Sequence, residues 1–135
     1  ITDERMTRFW ITLDQGVEFV ISCLETMAGG ELFVPKIPSM NIMELAAAMA
    51  PECKTEIVGI RPGEKLHEVM VPEDDARNTV ELEDRFVILP AFDVFANQLY
   101  KSYPRCAEGF RYASDTNKEW LSRAALSKMI EEHAS

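Results

Sequence analysis

Apolar positions recur at helical spacing along residues 13–28, where Val17, Val20, Ile21, Leu24 and Met27 fall on one face. Thr12-Leu13-Asp14-Gln15 has the form of a capping box at the head of that stretch. A threonine hydroxyl there accepts from the backbone N–H three residues on, while the glutamine side chain reaches back. Gly29-Gly30 supplies the stop. Phe9-Trp10-Ile11-Thr12 reads as a short extended segment feeding this helix, and Glu31-Leu32-Phe33-Val34-Pro35 as a strand closed by its proline. After the stiff connection Lys36-Ile37-Pro38-Ser39, Asn41-Ile42-Met43-Glu44 repeats the capping signature. A second helix continues over residues 45–49 until Pro51 ends it. Residues 55–60, Thr-Glu-Ile-Val-Gly-Ile, read as a further strand that delivers Arg61 at its end. Helix, strand, helix, strand is the pattern of an α/β unit.

The periodicity weakens further on. Residues 66–71 are compatible with strand or helix, residues 73–77 with a helical turn, and Arg85-Phe86-Val87-Ile88-Leu89 with a strand ended by Pro90. Residues 91–118 hold several aromatics but little regular spacing, so an irregular segment is expected there, and residues 120–132 resume a helical pattern. The whole reads as one small α/β lobe, with a core over residues 1–90 and an irregular segment plus terminal helix over 91–135. A chain of 135 residues is long enough for one core and too short for two comfortable domains.

Charge narrows the list of partners. A net charge of −9 offers no basic groove, so general nucleic-acid binding is not expected, whereas a small phosphate ligand needs only two or three local cations. The acidic runs at residues 73–75 and 81–84 read as solvated surface. Cys23, Cys53 and Cys106 are odd in number and lack C-x-x-C spacing, which indicates neither a disulfide framework nor a zinc site. A reducing cytoplasm fits them. No apolar run approaches the roughly 18 residues of a membrane span, and no leader pattern opens the chain. The chain opens on Ile1, and its first ten residues already resemble the interior of a folded protein, so a piece of a longer polypeptide is expected.

Chemistry concentrates at Gly59-Ile60-Arg61-Pro62-Gly63-Glu64-Lys65-Leu66-His67-Glu68. Pro62 fixes its own φ and biases Arg61 toward an extended conformation, while Gly63 permits a turn with φ > 0. The guanidinium is thereby aimed by the backbone, and its planar fork grips two phosphate oxygens. The same residues also satisfy a plain surface turn. Arg8, in Met6-Thr7-Arg8-Phe9-Trp10, is by itself equally an ordinary surface charge.

Three strings occur in one order: Met6-Thr7-Arg8-Phe9-Trp10-Ile11-Thr12-Leu13, Phe33-Val34-Pro35-Lys36-Ile37-Pro38-Ser39-Met40, and the Gly59 to Glu68 segment. A tail of Tyr112-Ala113-Ser114-Asp115-Thr116-Asn117 follows. Together they resemble the C-terminal part of the inverting UDP-N-acetylglucosamine 4,6-dehydratases, which are extended short-chain dehydrogenase/reductases of bacterial polysaccharide and flagellin glycosylation. The resemblance implies a substrate-binding lobe that meets a Rossmann lobe, with the sugar nucleotide in the cleft between them. In such enzymes the reaction oxidises C4 with NADP, eliminates water across C5 and C6, and returns hydride to C6 with inversion at C5.

On the same resemblance Arg8 and Arg61 match the positions that grip the diphosphate. Thr7, Lys36 and Glu64 are further substrate-binding candidates, Lys36 equally a loop cap and Glu64 equally a partner for a cation. His67 titrates in the range of an acid or base, yet a lone histidine beside leucine is more often structural, and no catalytic residue is assigned.

The cofactor half is missing from the pattern. No glycine-rich turn follows a strand, and no tyrosine is followed four residues later by lysine. No NADP is therefore expected on this chain, and no dehydratase turnover when NADP is added to it. The face left by the missing Rossmann lobe is expected to be apolar and exposed, favouring self-association into a homo-oligomer. The alternative is a stand-alone UDP-sugar-binding or protein-interaction module without catalysis.

Overall fold

The computed structural model describes residues 1–92 and 94–133 and divides the chain into two compact units. The first contains Ile1–Trp10, Ile37–Glu68 and the chain from Ala113 onward; the second contains Ile11–Lys36 and Val69–Tyr112.

In the first unit β1 (Thr7–Phe9) pairs antiparallel with β3 (Ser39–Asn41), placing Arg8 opposite Met40. Ser39 also makes a parallel bridge to Trp120. The Ser39 N–H donates to the Glu119 carbonyl at 2.9 Å, and the Leu121 N–H donates to the Ser39 carbonyl at 2.8 Å. Asn117 ties the same tail down, donating to the Ile37 carbonyl and to Ser39 Oγ. α2 (Ile42–Met49) starts where the Asn41 side chain accepts from the Met43 N–H at 2.7 Å. It stops at Ala50, before Pro51, and packs on α4 (Arg123–His133), where Leu126 is fully buried and Arg123 meets Glu44 at 3.1 Å.

In the second unit β2 (Leu32–Pro35), β5 (Thr79–Glu81) and β6 (Arg85–Ile88) form an antiparallel sheet in the order β2-β6-β5. Strand alternation separates its two faces. Val80, Val87 and Leu89 pack with Tyr100, Phe33 and Leu82 in one cluster, while Phe86 meets Phe110 and Tyr112 with centroids about 5 Å apart. β4 (Val69–Val71) and β7 (Tyr112–Ala113) form a two-stranded ladder, and a 3₁₀ helix spans Glu73–Asn78.

α1 (Leu13–Thr26) has the expected capping box, with Gln15 N–H donating to Thr12 Oγ1 and the Gln15 side chain accepting from the Thr12 N–H. It ends two residues earlier than its apolar pattern suggests. The helix is fastened by a polar side. Arg85 donates to Ser22 Oγ and to Cys23 Sγ, lies 4.8 Å over the Phe19 ring, and is held in a two-pronged pair by Asp84. The apolar stripe Leu13, Val17, Val20, Ile21 and Leu24 is left exposed, Leu13 at 83% and Leu24 at 65%.

Two expectations fail. Residues 55–60 form no strand: although rich in β-branched side chains, they lie on the surface, and among the described residues only Ile1 bonds to their backbone, too little pairing to hold a strand. Residues 91–118 are less irregular than their spacing suggests, since they contain α3 (Val94–Leu99) and β7. β3 and β5 were not foreseen; at three residues each they are too short to show alternation. Residues 66–71 resolve into a bend followed by β4. Among the described residues no helix is long and apolar enough to cross a membrane.

Candidate functional site

The Arg61 loop is a turn closed from both sides. The Glu64 N–H donates to the Arg61 carbonyl at 3.1 Å, and the Arg61 N–H donates to Glu64 Oε2 at 2.9 Å. Proline at the second position and a glycine with φ +83° at the third give the pattern of a type II turn, which requires positive φ where Gly63 stands. Gly59, at φ +87°, turns the chain just before it. The Arg61 side chain is exposed and, among the described residues, makes no hydrogen bond or ion pair. Glu64 thus serves the turn itself.

Arg8 fastens the far end of this loop. Its guanidinium donates to the Lys65 carbonyl at 2.9 Å, to the Leu66 carbonyl at 3.2 Å and to the Thr7 carbonyl at 2.6 Å. Its Nε lies 3.6 Å from Glu68 Oε1, and Glu68 is shared with Lys65 at 3.8 Å. The Thr7 N–H donates to the Leu66 carbonyl, so β1 and the loop are joined by backbone as well. Arg8, Thr7, Arg61 and Glu64 therefore belong to one unit, with Arg8 bonded to the loop that Arg61 opens.

Beneath Arg8 lies a buried hydroxyl cluster. Thr7 Oγ1 is 2.8 Å from His67 Nδ1 and 2.7 Å from Ser114 Oγ; Ser114 Oγ also donates to the Thr7 carbonyl and accepts the Glu68 N–H. Ser114 is fully buried and Thr7 nearly so. Thr7 is in this way a structural anchor of the loop, as is His67. Ser114 was not singled out from the sequence as a site residue, because its partners are more than 45 positions away.

Lys36 belongs to the second unit. Its ammonium donates to Glu81 Oε1 at 2.8 Å and to the Leu82 carbonyl at 2.7 Å, and it stands 4.9 Å over the Phe86 ring. Two of its three donors are engaged.

Among the described residues, the glycine turns do not have the placement that cradles a dinucleotide cofactor. Gly29 and Gly30 have positive φ but lie after α1 and before β2, the reverse of the strand-to-helix turn that cradles a pyrophosphate. Gly59, Gly63 and Gly109 open no helix either.

Residues 1–90 match the family described as polysaccharide biosynthesis protein. The UDP-N-acetylglucosamine 4,6-dehydratase (inverting) of Campylobacter jejuni is 47% identical over 96% of this chain, which spans 41% of that protein. A UDP-glucose 4-epimerase of Rickettsia canadensis is 34% identical over 65% of the chain, or 27% of its own length. The X-ray structure of Pen from Bacillus thuringiensis superposes with a TM-score of 0.82 at 29% identity, covering 99% of this chain and 41% of that one. The chain belongs to the polysaccharide biosynthesis protein family and is a homologue of the inverting UDP-N-acetylglucosamine 4,6-dehydratases, spanning about two fifths of their length.

Proposed function

We propose that this chain is the sugar-nucleotide-binding portion of an NADP-dependent UDP-N-acetylglucosamine 4,6-dehydratase, acting in the cytoplasm on a precursor for bacterial surface glycan or flagellin glycosylation. The observation that carries the reading is the Arg61 guanidinium: exposed, unpaired among the described residues, and set on a doubly closed turn. Such a group meets a phosphate with its backbone already ordered and no partner within the described residues to give up. Arg8, on β1, supplies a second positive charge bonded to the same loop; its guanidinium already donates to the Thr7, Leu66 and Lys65 carbonyls, so a diphosphate arriving there meets its remaining N–H and displaces at most the long 3.6 Å pair to Glu68. The chain's own contribution is to bind and orient. The hydride chemistry belongs to NADP, which the residues present do not hold, so the chain alone is inactive.

The outward apolar stripe of α1 supports a partner surface, taken either by a Rossmann lobe or by a second subunit. The test is made in the longer enzyme. Arg61→Lys keeps the charge and loses the two-pronged grip, so the dissociation constant for UDP-N-acetylglucosamine is expected to rise at least tenfold with NADP affinity unchanged. Equal loss of both, or of neither, would contradict the assignment.

A further inference from the structure

We propose that residues 54–58 form one strand of a parallel pair whose second strand is the backbone directly upstream of Ile1. The Ile1 nitrogen donates to the Glu56 carbonyl at 2.8 Å, and the Val58 N–H donates to the Ile1 carbonyl at 2.8 Å. One residue that donates to the position before its partner and accepts from the position after it makes a parallel bridge, here Ile1 opposite Ile57. Ser39 and Trp120 show the same phase in the same unit: Ser39 N–H to Glu119, Leu121 N–H to Ser39.

A parallel ladder repeats every two residues, so its continuation is fixed. The second residue before Ile1 would accept the Glu56 N–H and donate to the Lys54 carbonyl; the fourth would accept the Lys54 N–H. Among the described residues, neither the Lys54 nor the Glu56 N–H has a partner. The side chains suit the role. Thr55, Ile57 and Val58 are β-branched, and Ile57 and Val58 are about half exposed, whereas parallel strands are ordinarily covered on both faces. Gly59, at φ +87°, ends the strand and leads into the Arg61 turn. Pairing would therefore anchor the near end of the loop that Arg8 anchors at the far end.

The occupant follows from the bridge and from length. Upstream chain enters in register through Ile1 without any loop to close, and the relatives are more than twice as long as this chain. The inference rests on the proposed function only in taking the chain to continue upstream; its test contains no ligand.

Amide hydrogen exchange is followed by NMR in this chain and in the chain extended by the six upstream residues of its own reading frame. In the extended chain, exchange at Lys54 and Glu56 is expected to slow at least tenfold, with Thr55 and Ile57 unchanged. Proline at the second upstream position removes the donor to Lys54 and should abolish most of the protection; proline at the first, whose N–H points away, should leave it. Dispersed β1 and β3 amides report that each variant is folded. Protection at Thr55 and Ile57 instead, no protection in the extended chain, or protection in the unextended chain that grows with concentration, as a second copy would give, each overturns the proposal. Loss of UDP binding with the alternating protection intact would leave this pairing standing and remove the ligand reading alone.

Discussion

Arg8 and Arg61 carry the same charge into different surroundings, and their substitution should separate accordingly. Arg8 is three-quarters buried and holds three carbonyls, so Arg8→Ala leaves acceptors unsatisfied and is expected to lower unfolding stability by about 1–3 kcal/mol in urea titration. Arg61→Ala removes an exposed, unpaired group and should stay within about 0.5 kcal/mol. Equal losses would show that the Arg61 side chain has a structural partner. The thiols give a second residue-level test. Burial, with Glu81 adding to it, pushes Cys106 up to about 11 from an ordinary value near 9, while Cys53 is exposed. Cys106 therefore stays a neutral thiol in the fold after an unfolded chain would ionise, so its contribution to stability is present below pH 9 and lost as pH rises toward 11. Iodoacetamide at pH 8 should alkylate Cys53 first and Cys106 last, read by mass spectrometry. Early modification of Cys106 would mean that its pocket opens.

At the scale of elements, α1 is the unusual piece. Its polar Ser22 and Cys23 with Phe19 face Arg85, and its apolar stripe faces outward. Val20→Lys and Leu24→Lys should consequently leave stability within about 0.5 kcal/mol and reduce self-association in sedimentation velocity, whereas Leu89→Ala in the core should cost about 2–5 kcal/mol. Unfolding of the two lysine variants would mean that the stripe is covered within this chain.

The same helix shows what the sequence makes legible. Its capping box and its spacing are local signals, and so are the Asn41 cap, the Pro51 stop, β2, β6 and the Gly63 turn. Which way α1 faces is not local: Arg85, more than 60 residues away, decides it. The segment over 55–60 has strand chemistry, but among the described residues its backbone is paired by Ile1 alone, which is too little to make it a strand. Arg8, Thr7, Arg61 and Glu64 were legible through motif order, while the Thr7–Ser114–His67 cluster beneath them depends on contacts between distant stretches.

For the molecule as a whole, the central point is that the proposed phosphate site, Arg61 on its closed turn with Arg8 bonded to the same loop, stands in a chain spanning about two fifths of its relatives' length. On the proposed function this chain forms one side of a cleft, where the ordering cost stays and part of the contact area is gone, so affinity for a nucleotide diphosphate is expected near the millimolar range, about −4 kcal/mol. NMR still reads such binding residue by residue. The decisive measurement is a titration of the ¹⁵N-labelled chain with UDP, with uridine as control. The expected result is saturable shifts at Arg61, Gly63, Glu64 and Arg8 with UDP, absent with uridine and absent with UDP in Arg61→Ala. Identical shifts with uridine, or none at these amides at tens of millimolar UDP, would contradict it.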